Sequence, residues 1–396
     1  MLIKNISLFH GPELDYVQNT RVRISGKYIG QIGTKLLPLK GETVLDGQGL
    51  LMMPGLINSH THIGDSIAKD IGIDSNVEEK IHPVSGFKQK ILKNSDKSHL
   101  TSFIRNSCIS MIKKGITSFI DFREGGIEGI NLLKNATLGI SIRPVILGRI
   151  EYYQDSSSIK NNISIPQSHK LDLQNLLVHC DGVGISGPNE FSDLALQYFA
   201  KTKNIRAIHS AETDESNKIS KKISGKTETQ RALIAKPNFL VHMTYASRKD
   251  LVMTTKNKTS IVVCPRANGS LAEGIPDVDL MLDAGCNVAI GTDNVMINSP
   301  DMFREMDYLW KVSMGIKKKR LLPKDILKMA TTNASNLLGG KVGIVQNDKI
   351  ADCIFIEKHS IDLEPMHNPH ASVVQRASEN TIKAVMYEGK IVHGKI

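Results

Sequence analysis

The sequence predicts an α/β fold, a (β/α)8 TIM-type barrel with a small β-sandwich domain built from both chain termini. Three observations carry this expectation. Short apolar segments bounded by Gly or Pro alternate with amphipathic ones through the middle of the chain, the pattern of parallel strands covered on both faces. The two ends read instead as apolar–polar alternation punctuated by glycine. A length of 396 residues accommodates one large barrel with an appendage.

Taken in order, residues 1–53 give LIKNISLF, RVRISGKYIGQIG with a Gly-containing hairpin signal, and TVLDGQGLLMMPG. The last fifty residues look alike, with KVGIVQNDKIADCIFIE and TIKAVMYEGKIVHGKI. Residues 1–53 and 345–396 are therefore expected to pair into one small domain, leaving 54–344 as the barrel. Its predicted strands are Gly55–Asn58, Thr117–Phe122, Arg143–Leu147, Gly182–Ile185, Ile205–His209, Phe239–His242, Ser260–Cys264 and Asn287–Ile290. Amphipathic stretches such as Leu100–Lys114, Phe191–Lys203, Asp277–Ala284 and Asp301–Met314 lie between them. Eight such units match a closed barrel better than an open doubly wound sheet. The connection from Ile63 to Ser98 is unusually long and carries Lys80, His82, Lys88, Lys90 and Lys93. It reads as a lid over the barrel mouth or as a surface excursion.

Several function classes are disfavoured. No GxGxxG or GxxxxGK[ST] loop offers a nucleotide cradle. No apolar run approaches the ~20 residues of a bilayer span, and the N-terminus lacks a signal-peptide core. A cytoplasmic protein without a membrane partner is expected. The five cysteines are scattered and form no CxxC pair, against both a disulfide framework and a zinc ribbon. The net charge of +10 is spread over short basic clusters with only 5% aromatics, which reads as a solvated surface rather than a nucleic-acid face. Steering of an anionic small molecule is compatible with it. The HxE and PCxxC motifs of nucleic-acid deaminases do not occur.

Chemistry in such a barrel belongs at the carboxyl ends of the strands. The first strand ends in Asn58-Ser59-His60-Thr61-His62. Residues two apart on an extended backbone point the same way, so His60 and His62 can form a metal pincer. An HxH alone is as readily two satisfied polar residues. Here the fifth strand adds His209-Ser210-Ala211-Glu212, the sixth His242, and the eighth Gly291-Thr292-Asp293. Ionisable residues at four strand ends of one barrel point to a metal site.

PGLINSHTH, HSAE, VHM and GTDN, in that order, resemble the motif set of the amidohydrolase superfamily. The likeness is to its cytosine deaminase, S-adenosylhomocysteine deaminase and triazine hydrolase branch, and it covers nearly the whole chain. The resemblance implies His60, His62, His209 and Asp293 as ligands of one divalent metal ion. Zinc is the leading expectation, with iron and manganese as alternatives. It implies Glu212 as proton shuttle, His242 as a histidine facing the hydrolytic water, and Asp293 as a catalytic as well as a ligating group. The expected reaction is hydrolytic deamination of an amino-substituted N-heterocycle, with metal-bound hydroxide as nucleophile.

Members that open cyclic amides often carry a bridging lysine on the fourth strand. Here that strand end reads Gly184-Ile185-Ser186-Gly187-Pro188, which favours one metal and deamination. The alternatives are a hydrolase of the same superfamily acting on a cyclic amide, guanidine or halide, or an inactive barrel serving as scaffold. Asp65, Arg123, Arg149, Arg266 and Asn268 are the expected substrate contacts, Arg266 and Asn268 foremost. Arg266 could equally belong to a loop-stabilising ion pair with Glu124 or Asp65. The sequence departs from many relatives at Ile63-Gly64-Asp65-Ser66 and at His242-Met243-Thr244-Tyr245. The substrate is expected to be a small molecule, anionic or neutral, and the resemblance implies a homodimer or higher homo-oligomer. The remaining histidines, Cys264 and Trp310 are read as packing or surface groups.

Overall fold

The first residues form five strands, β1 (Leu2–His10), β2 (Asp15–Ser25), β3 (Tyr28–Ile32), β4 (Val44–Asp46) and β5 (Leu50–Pro54). The turn between β2 and β3 places Gly26 at φ +57°, a conformation glycine adopts without a Cβ penalty. The barrel strands follow as β6 (Leu56–His62), β7 (Ile116–Arg123), β8 (Arg143–Gly148), β9 (Gly182–Ile185) and β10 (Ile205–Ser210). They continue with β11 (Phe239–His242), β12 (Ser260–Val263), β13 (Val288–Ile290) and β14 (Asp293–Asn294). The chain ends in β15 (Cys353–Glu357), β16 (Ile382–Tyr387) and β17 (Lys390–Gly394). This computed structural model describes residues 1–75, 79–80 and 86–396.

From β6 to β13 each strand pairs in parallel with the next, and β14 returns to pair with β6. The barrel's eighth strand is thus split into β13 and β14 at Gly291–Thr292. The Gly291 amide donates to Val263 O on one side (2.9 Å), and that of Thr292 to His60 O on the other (3.1 Å). A Cβ on Gly291 would lie 2.6 Å from the His60 backbone nitrogen, so closing the ring here requires glycine. Asn58 completes the seam, donating to Thr292 Oγ1 (2.7 Å) and accepting from the Thr292 amide (3.0 Å).

The termini share one mixed sheet of eight strands, in which β5 runs parallel to β1 and antiparallel to β15. Ile3, Leu8, Val22, Met52 and Phe355 bury a core there that is separate from the barrel's. The Pro369–Arg376 helix, although it lies between β15 and β16, packs on the barrel helices Met302–Gly315 and Pro323–Met329.

The predicted strands all occur, with shifts at their ends. β6 runs on to His62 because Thr61 and His62 pair with β14 and Thr61 also pairs with β7, so the HxH motif lies in the strand. In the long connection, a 3-10 turn spans Ile63–Ala68 and a helix spans Phe87–Asn94. Residues 76–78 and 81–85, His82 among them, lie outside the described residues. Among the described residues no helix is long and apolar enough to cross a membrane.

Candidate active site

The strand ends bring the expected metal-facing residues together. His60 Nε2 lies 3.3 Å from His209 Nε2 and 3.3 Å from Asp293 Oδ1, and His62 Nε2 lies 3.6 Å from the same oxygen. The ligand atoms of His60, His62 and His209 fall within 4.8 Å of one another, as do those of His60, His242 and Asp293. Burial drives the His60 imidazole down to about 4, against the pull of Asp293. Burial likewise holds His209 well below the ordinary range, with the neighbouring imidazoles adding to it. For Asp293 burial acts upward, but the contact with His60 and the facing imidazoles outweigh it and hold the carboxyl far below its usual range.

His60 and His209 are thus held in the neutral form and Asp293 in the ionised form, the protonation state that metal ligation needs. The Nε2 atoms of His60 and His209 face each other at 3.3 Å, and Asp293 Oδ1 is buried without a well-aligned donor. Imidazole and carboxylate ligand atoms converging in this way fit a divalent cation.

Four residues in or next to this cluster adopt left-handed backbone, Ala211 (φ +51°), His242 (φ +73°), Met243 (φ +57°) and Asp293 (φ +61°). Each is strained by roughly 1–3 kcal/mol and must be held by its surroundings. Glu228 holds the first. Its buried carboxylate accepts from the Ala211 amide (2.7 Å) and from Ser216 Oγ (2.6 Å), fixing the turn between His209 and Glu212. Burial raises Glu228 to about 7 despite those bonds.

The raised value sets a sign. A carboxyl whose folded value exceeds its unfolded value of ~4.3 supports folding below that pH and loses the contribution as pH rises through about 7. Between pH 5 and pH 7.5, wild type is therefore expected to lose about 2 kcal/mol relative to Glu228→Gln. Urea unfolding at the two pH values checks this. Parallel pH dependences for the two proteins would remove the buried, proton-holding role of Glu228.

Glu212 Oε1 lies 3.3 Å from His242 Nε2. On the other side of that ring, Nδ1 faces Asn268 Oδ1 at 3.4 Å, and Asn268 Nδ2 donates to Glu273 Oε2 at 3.3 Å. With the Asn268 amide oriented by Glu273, His242 carries its proton on Nδ1 and turns Nε2 towards Glu212. Burial and the adjacent Glu212 push Glu273 up to about 11, so it holds a proton at neutral pH.

The expected substrate contacts fare differently. A cavity of roughly 260 Å³ opens beside the cluster, and Arg149, Glu212 and Glu273 line it. Asp65, Arg123, Arg266 and Asn268 do not. Asp65 is buried and braces the strand that carries Asp293, accepting from Asn294 Nδ2 (2.7 Å) and the Met296 amide (3.0 Å). The Arg123 guanidinium is packed against Gly64, where a Cβ would sit 2.0 Å from Nη2. Arg266 pairs with Glu305 (3.3 Å) and donates to Ser299 O (3.2 Å), so the ion pair forms with neither Glu124 nor Asp65.

Sequence reasoning missed Glu228, Glu273, Asp121 and the bracing role of Glu124. Asp121 accepts from Thr61 Oγ1 (2.9 Å) and the Ile63 amide (2.6 Å) and so shapes the chain leaving the HxH strand. Glu124 Oε1 accepts from His62 Nδ1 at 3.0 Å, fixing that ring as outer carboxylates do for metal-binding histidines. A charged residue inside an apolar strand was the available signal for Asp121, and a carboxylate just beyond the strand end was that for Glu124. Glu228 and Glu273 gave none.

The Amidohydrolase family profile matches residues 51–392. The chain belongs to the amidohydrolase family. As a member it is a hydrolase of carbon–nitrogen bonds other than peptide bonds. It is 36% identical to a putative aminohydrolase of Methanothermobacter thermautotrophicus, over 99% of both chains. It is 26% identical to the 5-methylthioadenosine/S-adenosylhomocysteine deaminase of Pyrococcus furiosus, over 99% of this chain and 94% of that one. Among solved structures, the atrazine chlorohydrolase of Arthrobacter aurescens complexed with zinc superposes with a TM-score of 0.84. That match is at 17% identity and covers 99% of this amidohydrolase and 95% of the other chain, so it speaks to the fold.

Proposed function

We propose that this amidohydrolase is a metal-dependent aminohydrolase that removes ammonia from an amino-substituted heterocycle of the purine, pyrimidine, pterin or nucleoside type. One observation carries the reading. Glu212 lines the cavity and pairs with His242, at 3.3 Å, beside the His60, His62, His209 and Asp293 cluster. A proton carrier beside a metal-facing set is what deamination requires, because the ring nitrogen and the departing amine must each receive a proton. The deaminase name of the Pyrococcus relative supports the same class.

In this reading His60, His62, His209 and Asp293 hold one divalent ion, zinc foremost. Bound there, the ion would make hydroxide available from water near neutral pH. The Asp293 carboxylate, kept ionised by its imidazole neighbours, takes a proton from the attacking water. Glu212 delivers its proton to the ring nitrogen. It takes up the remaining proton of the attacking water as the ring carbonyl forms and passes it to the leaving amine, and the proton held by Asp293 then restores Glu212. A carbon–oxygen bond forms, the carbon–nitrogen bond to the amino group breaks, and the products are a ring carbonyl and ammonia. Anchored through Asn268 at Nδ1, His242 turns Nε2 to Glu212 and steadies that carboxyl at the substrate. Proton-bearing Glu273 beside Glu212 adds a donor for a ring heteroatom. Arg149 on the cavity lining suits a substituent that is polar or anionic.

The test is ammonia release by the zinc-loaded protein against a panel of amino-purines, amino-pyrimidines, pterins and nucleosides. Release from at least one ring is expected. Silence across the panel, together with opening of a lactam or release of a halide, would overturn deamination and leave the metal-dependent hydrolase.

A further inference from the structure

Lysine is seldom buried, because an ammonium without partners is costly to remove from water. Lys88 is only 3% exposed. It comes from the Phe87–Asn94 helix, outside the barrel strands, and its ammonium reaches in to 2.5 Å from Glu124 Oε1. That oxygen is the one that accepts from His62 Nδ1. The same ammonium stands 3.8 Å from Asp65 Oδ2, and this oxygen accepts from Asn294, the neighbour of Asp293 in β14.

Lys88 therefore lies between two carboxylates that brace opposite sides of the metal-facing set. Glu124 steadies a ring of the first strand, and Asp65 steadies the strand that carries Asp293. The other cations near Glu124 stand farther off, Arg123 at 3.5 Å and Arg149 at 4.0 Å. Without the ammonium, two buried carboxylates would repel with nothing between them, and Glu124 could swing away from His62.

We propose that Lys88 is a positioning residue for the metal site, holding Glu124 on His62 Nδ1 and Asp65 beside the Asp293 strand so that the four ligands keep one geometry. The proposal rests on the reading of His60, His62, His209 and Asp293 as metal ligands. It needs nothing of the reaction, so its tests run without substrate. Failure of the deaminase reading would show as silence of a metal-loaded protein in the ammonia assay. Failure of this proposal would show in metal binding itself.

The experiment measures zinc affinity by competition with a chromogenic chelator for wild type, Lys88→Met, Lys88→Arg, Glu124→Gln and the Lys88→Met/Glu124→Gln double variant. The visible spectrum of each cobalt-substituted protein is recorded alongside. Lys88→Met is expected to weaken zinc binding about 10–100-fold, the range for loss of a group that orients a ligand. Its cobalt spectrum is expected to change. Lys88→Arg, which keeps the charge, is expected to recover most of the affinity. The double variant is expected to bind zinc about as Glu124→Gln does, because the two residues act through one contact. Should Lys88→Met destabilise the metal-free protein, the Lys88→Arg recovery and the cobalt spectrum still decide. Wild-type zinc affinity and an unchanged spectrum in Lys88→Met would overturn the proposal. A rise in KM alone would do the same, and would make Lys88 a substrate contact.

Discussion

Replacing Glu212 by Gln is expected to lower kcat for ammonia release by roughly 10³-fold, within the range of a lost general acid–base group. Gln fills the same space and can still meet His242 Nε2 across the 3.3 Å gap. It cannot give a proton to the ring nitrogen or to the leaving amine. Glu273, which faces Glu212, holds its own proton too firmly at neutral pH to substitute. Zinc affinity should stay near wild type, since Glu212 is outside both convergent ligand groups. Steady-state kinetics with a metal assay on the same preparation checks this. Loss of zinc in step with activity would recast Glu212 as a structural support.

The second large effect is on the metal itself. Asparagine tolerates left-handed backbone, so Asp293→Asn can keep the φ of +61° while removing the anionic oxygen. The variant loses the carboxylate that faces His60 and His62, and with it a full negative charge at the site. Zinc affinity is expected to fall by more than ~100-fold, beyond the range for groups that merely orient a ligand. The loss should also appear in stability. Zinc at ~1,000 times its Kd adds about 4 kcal/mol to the wild-type protein by mass action. Under the same conditions Asp293→Asn should gain far less. Thermal unfolding with and without zinc measures it, and an equal gain in both proteins would take Asp293 out of the ligand set.

The fold was legible because its signals are local. Apolar runs such as Ile205–Ser210 and Phe239–His242 end in polar residues and are followed by amphipathic helices, which is enough to propose parallel strands. The strand-end residues His60, His62, His209, His242 and Asp293 could be placed near one another once the barrel was assumed. What supports them was not legible, because it depends on contacts far apart in sequence. Glu228 reaches back to Ala211 from a separate helix, and Lys88 reaches Glu124 across 36 positions of chain. Neither carries a spacing that marks it. Arg266 shows the opposite error. An arginine after the seventh strand, at the barrel mouth, reads as a substrate clamp, yet it is paired with Glu305 on the Met302–Gly315 helix and does not line the cavity. The split of the eighth strand was also hidden, since Gly291 reveals its role only where β6 and β12 pass on either side.

The central claim is that a single metal ion, held at the ends of β6, β10 and the split eighth strand, makes this amidohydrolase a deaminase. Titrating the metal-free protein with zinc while following bound zinc and ammonia release together tests it most directly. Ammonia release is predicted to rise in proportion to bound zinc and to level off at one ion per chain. Deamination that persists without metal, or that appears only after a second ion binds, would contradict the account.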